Sequence, residues 1–482
     1  MRWRYIFNVV SVLTFYFGMS MIFPVIVSLI YRDQSLLPLI ESMLATLAFG
    51  LTLHLINRRF RTEIISQREG MAIVAISWIM VSLFGALPFF LDGILNTFTD
   101  AFFESVSGFT TTGASVLTNI EVVSQSLLFW RSFIQWLGGM GIIVLSLAIL
   151  PFLGVGGMQL YKAEVPTPVP DKLKPLIRDT ATLLWKVYAL MSLLQVAFLM
   201  FGGMSLFDAL CHTFTTMPTG GFSTKNASIA HYHSLYLEIV IIVFMVLAGI
   251  NFSLHYQVLR GRPLAFWRDS ECRFFLISTL LFTVLVSLNI YRSPYERIGD
   301  AFRYGSFQVV SIVTTTGFAT ADYEKWPVFS QFVLLILMFL GASAGSTGGG
   351  VKSLRVMLFL KYCGRELFYL VHPRAVAHVK IGGKVVPEDV IRSVMGFLGL
   401  YAGIFVLSSL LLSALGVDLV TSMGATAATL GNVGPGLGLV GPVDNFANIP
   451  YLGKWLLSWC MLLGRLEIYT LIIFFAPAFW RK

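Results

Sequence analysis

Ten stretches of roughly twenty apolar residues run through this chain, and no other feature restricts its fold as strongly. A hydrocarbon core about 30 Å thick needs about 20 residues rising 1.5 Å each. Residues 5–30, 36–56, 70–91, 125–150, 181–203, 235–259, 274–291, 327–345, 393–415 and 450–478 meet that length. In lipid every backbone polar group must be satisfied within the chain, so such stretches fold as spanning helices. The 482 residues therefore read as one all-α integral membrane body, not as several soluble domains. Only 12% of residues are charged, half the usual share of about 25% in soluble chains. The first stretch is too long for a signal-peptide core and lacks a small-residue cleavage site, so it reads as a retained span. Cys211, Cys272, Cys363 and Cys460 have no CxxC spacing, and the seven histidines have no metal-ligand pattern.

Between several spans lie shorter Gly/Thr-rich stretches, beginning near Asp100, Asp208, Asp300 and Asp418. If these do not cross, the connecting segments alternate sides. One set of termini and loops then carries 24 of the 34 Lys and Arg residues, including Arg2, Arg58, Arg178, Arg262 and the segment Lys352–Arg392. Basic residues mark the cytoplasmic side, so both termini are expected inside and the chain in the cytoplasmic (inner) membrane. The net charge of +9 is thus a topology signal, and with no basic soluble domain a nucleic-acid partner is not expected.

The short stretches repeat. Asp100 leads to Thr110-Thr111-Thr112-Gly113, Asp208 to Pro218-Thr219-Gly220-Gly221, Asp300 to Thr314-Thr315-Thr316-Gly317, and Asp418 to Gly431-Asn432-Val433-Gly434. The Asp-to-Gly spacings of 13, 13, 17 and 16 imply one extra helical turn in the third and fourth copies. The unit is span, half-helix, loop, span, repeated four times in parallel after two extra N-terminal spans. Its expected boundaries are 1–67 for the extra spans, then 68–153, 154–262, 263–375 and 376–482. A half-helix of about 9–13 residues descends about 13–20 Å, with Asp capping its outer end. Irregular backbone at membrane depth is tolerated only where it is buried or lines a cavity, and glycine lets neighbouring carbonyls turn inward. Four such loops around one axis make a ring that can replace a monovalent cation's hydration shell. Close packing of small residues is the alternative for any single copy.

On these motifs the chain resembles the Trk/Ktr/HKT superfamily of potassium transporters, and within it the bacterial TrkH type. The resemblance covers nearly the whole chain and implies potassium uptake through a channel-like pore. It implicates Thr111, Thr112 and Gly113; Thr219, Gly220 and Gly221; Thr315, Thr316 and Gly317; and Asn432, Val433 and Gly434 as the potassium-binding filter. Gly113, often serine in sodium-favouring relatives, argues for potassium. The fourth loop departs most, with Asn432-Val433 and Pro435, so preference for potassium and rubidium with a sodium leak is expected.

Beneath the filter, the span after the third loop contains Gly345, Gly348, Gly349 and Gly350, each costing about 1 kcal/mol in a helix relative to Ala. It is expected to break near the membrane centre, as a mobile gate loop or a flexible exit. The glycine spacing mimics a phosphate-binding loop, but Val351 interrupts it before Lys352 and a span precedes it. Arg465 falls near the middle of the last span, where a charge costs about 2.5 kcal/mol or more unless it faces water or a partner. It reads as a barrier in the pore or as part of a packing ion pair. Glu104, Glu121, Asp322 and Glu324 are expected near the outer face, where acids concentrate cations.

Residues 154–180, with Pro166, Pro168, Pro170 and Pro175, read as an extended cytoplasmic loop, and His378–Val386 as a hairpin turning on Gly382-Gly383. No cofactor is expected on this chain beyond K+ as the transported ion. The resemblance implies a homodimer and cytosolic RCK (KTN-type) TrkA subunits carrying NAD or ATP. An alternating-access carrier, coupled to protons or sodium, would call for inverted repeats, whereas these run parallel. No acid, base and nucleophile cluster suggests an intramembrane enzyme.

Overall fold

The computed structural model describes residues 1–58, 66–148 and 173–480. Among them six helices are long and apolar enough to cross a membrane: Trp3–Tyr31, Leu36–Asn57, Arg68–Leu91, Thr180–Phe201, Ser270–Ile290 and Glu388–Ala414. Two bent pairs bring the number to eight. Leu235–Gly249 and Phe252–Leu259 meet at 103°, and Tyr451–Arg465 and Tyr469–Phe475 at 113°. The other two expected spans correspond to the helices Gln125–Ala148 and Val328–Phe339, the latter only 12 residues long. Most of the expected proline-rich loop at 154–180 lies outside the described residues.

Hydropathy does not reveal the bends because a window average passes over a break of two or three residues inside an apolar run. At the first, Ile250 is extended and the Asn251 side chain caps the next helix by accepting from Ser253 N at 2.9 Å. At the second, Glu467 and Ile468 both have positive φ, 62° and 47°. Outward faces carry Leu13, Tyr16, Leu44, Leu193, Ile277 and Leu410, each more than two-fifths exposed. Apolar exposure on that scale is unfavourable in water and neutral in lipid. The two N-terminal helices pack through small residues: a methyl group on Gly50 would lie 2.8 Å from the backbone nitrogen of Phe15.

Four half-helices occupy the repeat positions: Phe98–Phe109, Leu206–Thr216, Ile298–Val313 and Leu419–Leu430. Their caps correct the expectation for the aspartates. Thr97 and Ser205 are the capping side chains of the first two, accepting from Asp100 N and Asp208 N at 3.1 Å each. Asp100, Asp208 and Asp300 sit in the first turn, where they still complement the positive end of the helix dipole. Only Asp418 is itself the cap, accepting from Thr421 N at 3.0 Å. This explains the fourth spacing. The third half-helix is longer, at 16 residues, but the fourth has 12 like the first, and its aspartate stands at the cap, about three positions earlier relative to the helix.

The expected hairpin is present: Lys380 pairs with Val385 and Ile381 with Lys384, antiparallel, with positive φ at Gly382 and Gly383. Glu104, expected near the outer face, is fully buried. Its carboxylate accepts from Arg131 Nε at 2.6 Å and from Val116 N at 2.9 Å, while Arg131 Nη1 donates to the Ser223 carbonyl at 3.0 Å. Breaking a buried pair leaves an uncompensated charge, at a cost of about 3–5 kcal/mol. Arg131→Ala should therefore lower the thermal unfolding midpoint in detergent far more than Lys325→Ala, whose partner Asp322 is a surface pair.

Candidate functional site

The C-terminal ends of the four half-helices share one backbone design. Thr111, Thr219, Thr315 and Asn432 adopt the left-handed conformation, with φ of 50°, 59°, 61° and 54°. Each donates its N–H three residues back, to Gly108, Thr216, Ile312 and Thr429 at 2.9–3.2 Å. The following residues, Thr112, Gly220, Thr316 and Val433, donate five residues back, to Ser107, Thr215, Ser311 and Ala428 at 2.8–2.9 Å. This is the Schellman arrangement, in which the left-handed position is normally glycine. A β-branched residue there is a steric outlier, and three threonines hold it. Such strain, of order 1–3 kcal/mol each, persists only where the surroundings over-determine it.

One residue further on, Gly113, Gly221, Gly317 and Gly434 again have positive φ, from 73° to 102°. They interlock. A methyl group on Gly113 would lie 2.1 Å from the Gly220 carbonyl oxygen, and one on Gly221 would lie 1.9 Å from that of Thr316. On Gly317 it would lie 2.1 Å from that of Val433, and on Gly434, 2.7 Å from that of Thr112. The contacts pass from loop one to two, three, four and back to one. Four loops achieve this only by surrounding a common centre.

All twelve residues expected in the filter are thus brought together, and the seven non-glycine ones are buried. Seven of their carbonyls, those of Thr111, Thr112, Thr219, Thr315, Thr316, Asn432 and Val433, accept no hydrogen bond from a described residue. Buried carbonyls are nearly always paired, so this concentration at one centre is the site's defining property. The Gly220 carbonyl differs, accepting from Gln135 Nε2 at 2.9 Å; Phe222 N donates to Gln135 Oε1 at 3.3 Å and fixes the amide's orientation. Asn432 Nδ2 donates across to Thr112 Oγ1 and to the Met461 carbonyl, both at 2.9 Å. Gln135 was missed in the sequence; its signal is an amide inside the apolar run Phe133-Ile134-Gln135-Trp136.

The glycine-rich loop lies directly against this ring. It leaves the helix at Phe339 and returns through a bridge between Leu340 and Val351. Thr347 Oγ1 donates to the Met217 carbonyl at 2.8 Å, and Gly349 N to Thr315 Oγ1 at 2.7 Å. A methyl group on Gly349 would lie 2.6 Å from the Gly431 carbonyl oxygen. Gly345 and Gly350 have positive φ, 77° and 63°. Arg465 is not in mid-helix as expected but is the last residue of Tyr451–Arg465, because the chain turns sharply after it. Its Nη1 donates to the Thr347 carbonyl at 2.7 Å. Glu467 is paired instead with Arg355. A cavity of about 700 Å³ opens below, lined by the loop, Lys352, Arg355, Arg465 and the hairpin residues Ile381 and Gly382.

The outer acids mostly have structural partners. Asp322 pairs with Lys325, and Glu121 accepts from Asn226 N at 3.2 Å. Glu324 Oε1 accepts from Gly438 N at 2.6 Å, and partial burial raises its carboxyl above the usual range. No group of three or more His, Cys, Asp or Glu able to hold a metal occurs among the described residues.

A family model described as TrkH, "Cation transport protein", matches residues 39–482. The chain is 44% identical to the Trk system potassium uptake protein TrkH of Salmonella typhimurium over 490 residues, covering 100% of both. It is 36% identical to the Trk system potassium uptake protein TrkG of Escherichia coli, covering 99% of both. Among solved structures, the potassium transporter TrkH from Vibrio parahaemolyticus superposes with a TM-score of 0.92 at 39% identity, over 100% of each chain.

The ring geometry orders the tolerance of its glycines. Alanine at Gly221 meets a backbone oxygen at the shortest separation and at Gly434 at the longest. Left-handed strain adds about 1–2 kcal/mol at either. Gly221→Ala should lower the unfolding midpoint measured by tryptophan fluorescence clearly more than Gly434→Ala; the reverse order would contradict the interlock.

Proposed function

The chain belongs to the TrkH family of cation transport proteins, and from that premise we propose that this multi-pass membrane protein takes up potassium through a channel-like pore. One observation carries the reading: seven buried carbonyls without a described donor, gathered at the ends of four half-helices. A dehydrated monovalent cation is the ligand such a group suits. Carbonyl oxygens replace its water, and each helix contributes about half a negative charge at its C-terminal end. Thr111, Thr112, Gly113, Thr219, Gly220, Gly221, Thr315, Thr316, Gly317, Asn432, Val433 and Gly434 form the filter. Two departures from fourfold symmetry, Gln135 on the Gly220 carbonyl and Asn432 in the fourth loop, reduce selectivity and admit some sodium.

Gly345, Gly348, Gly349 and Gly350 form the gate, and Arg465 holds it shut through the Thr347 carbonyl while placing positive charge on the cation path. The protein lies in the cytoplasmic membrane with both termini inside, as the distribution of basic residues supports. It works as a homodimer controlled by a cytosolic nucleotide-binding RCK subunit of the TrkA kind, which docks on the hairpin Lys380–Val385.

Current recordings from reconstituted protein decide between a pore and a carrier, since many ions pass per opening of a pore and few per carrier cycle. Arg465→Ala should raise potassium flux about tenfold, as expected when a charge-assisted hydrogen bond is lost, with the potassium-to-sodium ratio unchanged. A fall in flux with intact, folded protein would count against a barrier role.

A further inference from the structure

Glu271 is a buried carboxylate that the filter and the Arg465 contact leave without a role. It stands in the first turn of Ser270–Ile290, at the cytoplasmic end of the third repeat, and is 9% exposed. One of its oxygens, Oε1, accepts two backbone N–H groups: Ala344 at 2.6 Å and Leu354 at 3.1 Å. These residues flank the glycine-rich loop on its two legs. The legs are also paired with each other, by Gly341 N to the Val351 carbonyl at 2.7 Å, Val351 N to Phe339 at 3.0 Å and Ser353 N to Ala342 at 3.2 Å. A single carboxylate oxygen therefore ties both legs of a closed loop base to a helix outside it.

The same spot touches the cytoplasmic hairpin. A methyl group on Gly382 would lie 3.7 Å from Ser270 Oγ, next to Glu271. On the other side, Lys361 Nζ donates to the Lys380 carbonyl at 2.7 Å, joining the hairpin to the helix Ser353–Val371 that begins at the loop's returning leg. The hairpin thus adjoins both the helix that carries Glu271 and the helix that carries Leu354. Burying a carboxylate is costly unless its acceptor capacity is used, and here that capacity is spent on the loop.

We propose that Glu271 is a positioning residue that latches the base of the glycine-rich loop in its closed place, and that displacement of the cytoplasmic hairpin opens the pore by pulling on this latch. The inference rests on the reading of residues 345–350 as the gate.

The test uses full-length protein in liposomes, reading radiolabelled rubidium uptake, the rubidium-to-sodium ratio, and monodispersity after purification. Glu271→Ala removes both contacts and should raise uptake about tenfold, as expected when two charge-assisted hydrogen bonds to a mobile segment are lost. Glu271→Gln keeps an acceptor oxygen at the same reach and should stay within about twofold of the unaltered protein; the ion ratio should not move in either. If the alanine variant is not monodisperse, Glu271→Asp, which withdraws the acceptor by one methylene, takes its place with the same expectation. Uptake unchanged in the alanine or aspartate variant, or raised equally in the glutamine variant, overturns the latch. Arg465→Ala measured alongside separates the two readings. If it raises uptake and Glu271→Ala does not, the gate stands and the latch fails; if neither does, the gate reading itself is wrong.

Discussion

Everything in this fold answers to one constraint: a backbone carbonyl placed at membrane depth needs a partner. Four half-helices enter from one side and stop near a shared centre, each closing its last turn with the same pair of hydrogen bonds. Those bonds satisfy carbonyls in the last turn of each helix and leave the carbonyls of the loop residues after it without a donor among the described residues. Threonine or asparagine in the left-handed position, followed two residues later by glycine, keeps the loop from continuing as helix. The strain is local and small beside the interlocking that holds it, since each loop is braced by its neighbour's carbonyl.

The glycine-rich segment obeys the same rule differently. Its backbone polar groups are satisfied partly by each other, through the paired legs around Leu340 and Val351, and partly by the ring above it. Arg465 is the last residue of Tyr451–Arg465, before a bend of 113°, where its guanidinium meets the Thr347 carbonyl and borders the cavity.

Much of the candidate site was legible. Four parallel copies of an acidic start, a half-length helix and a glycine at nearly constant spacing pointed to a ring, and Gly113, Gly221, Gly317 and Gly434 form one. The hairpin at Gly382-Gly383 was readable from its turn residues. Gln135, the Glu104–Arg131 pair and the Arg355–Glu467 pair were not, because their partners are far away in the chain and no spacing encodes them. The bends after Gly249 and Arg465 escaped notice for another reason: hydropathy averages over a window and is blind to one extended or left-handed residue.

From the sequence alone came the membrane-embedded all-helical class, the fourfold repeat, and the residues that meet at its centre. Each of these depends on local composition, period or charge, which a chain carries along its length. Tertiary structure alone decided which carbonyls lack a donor among the described residues, how the glycine-rich loop is tied down, and that Glu104 is buried while Arg465 ends a broken helix. Those outcomes are settled by contacts between segments up to hundreds of residues apart, and only the packed chain brings such segments within hydrogen-bonding distance.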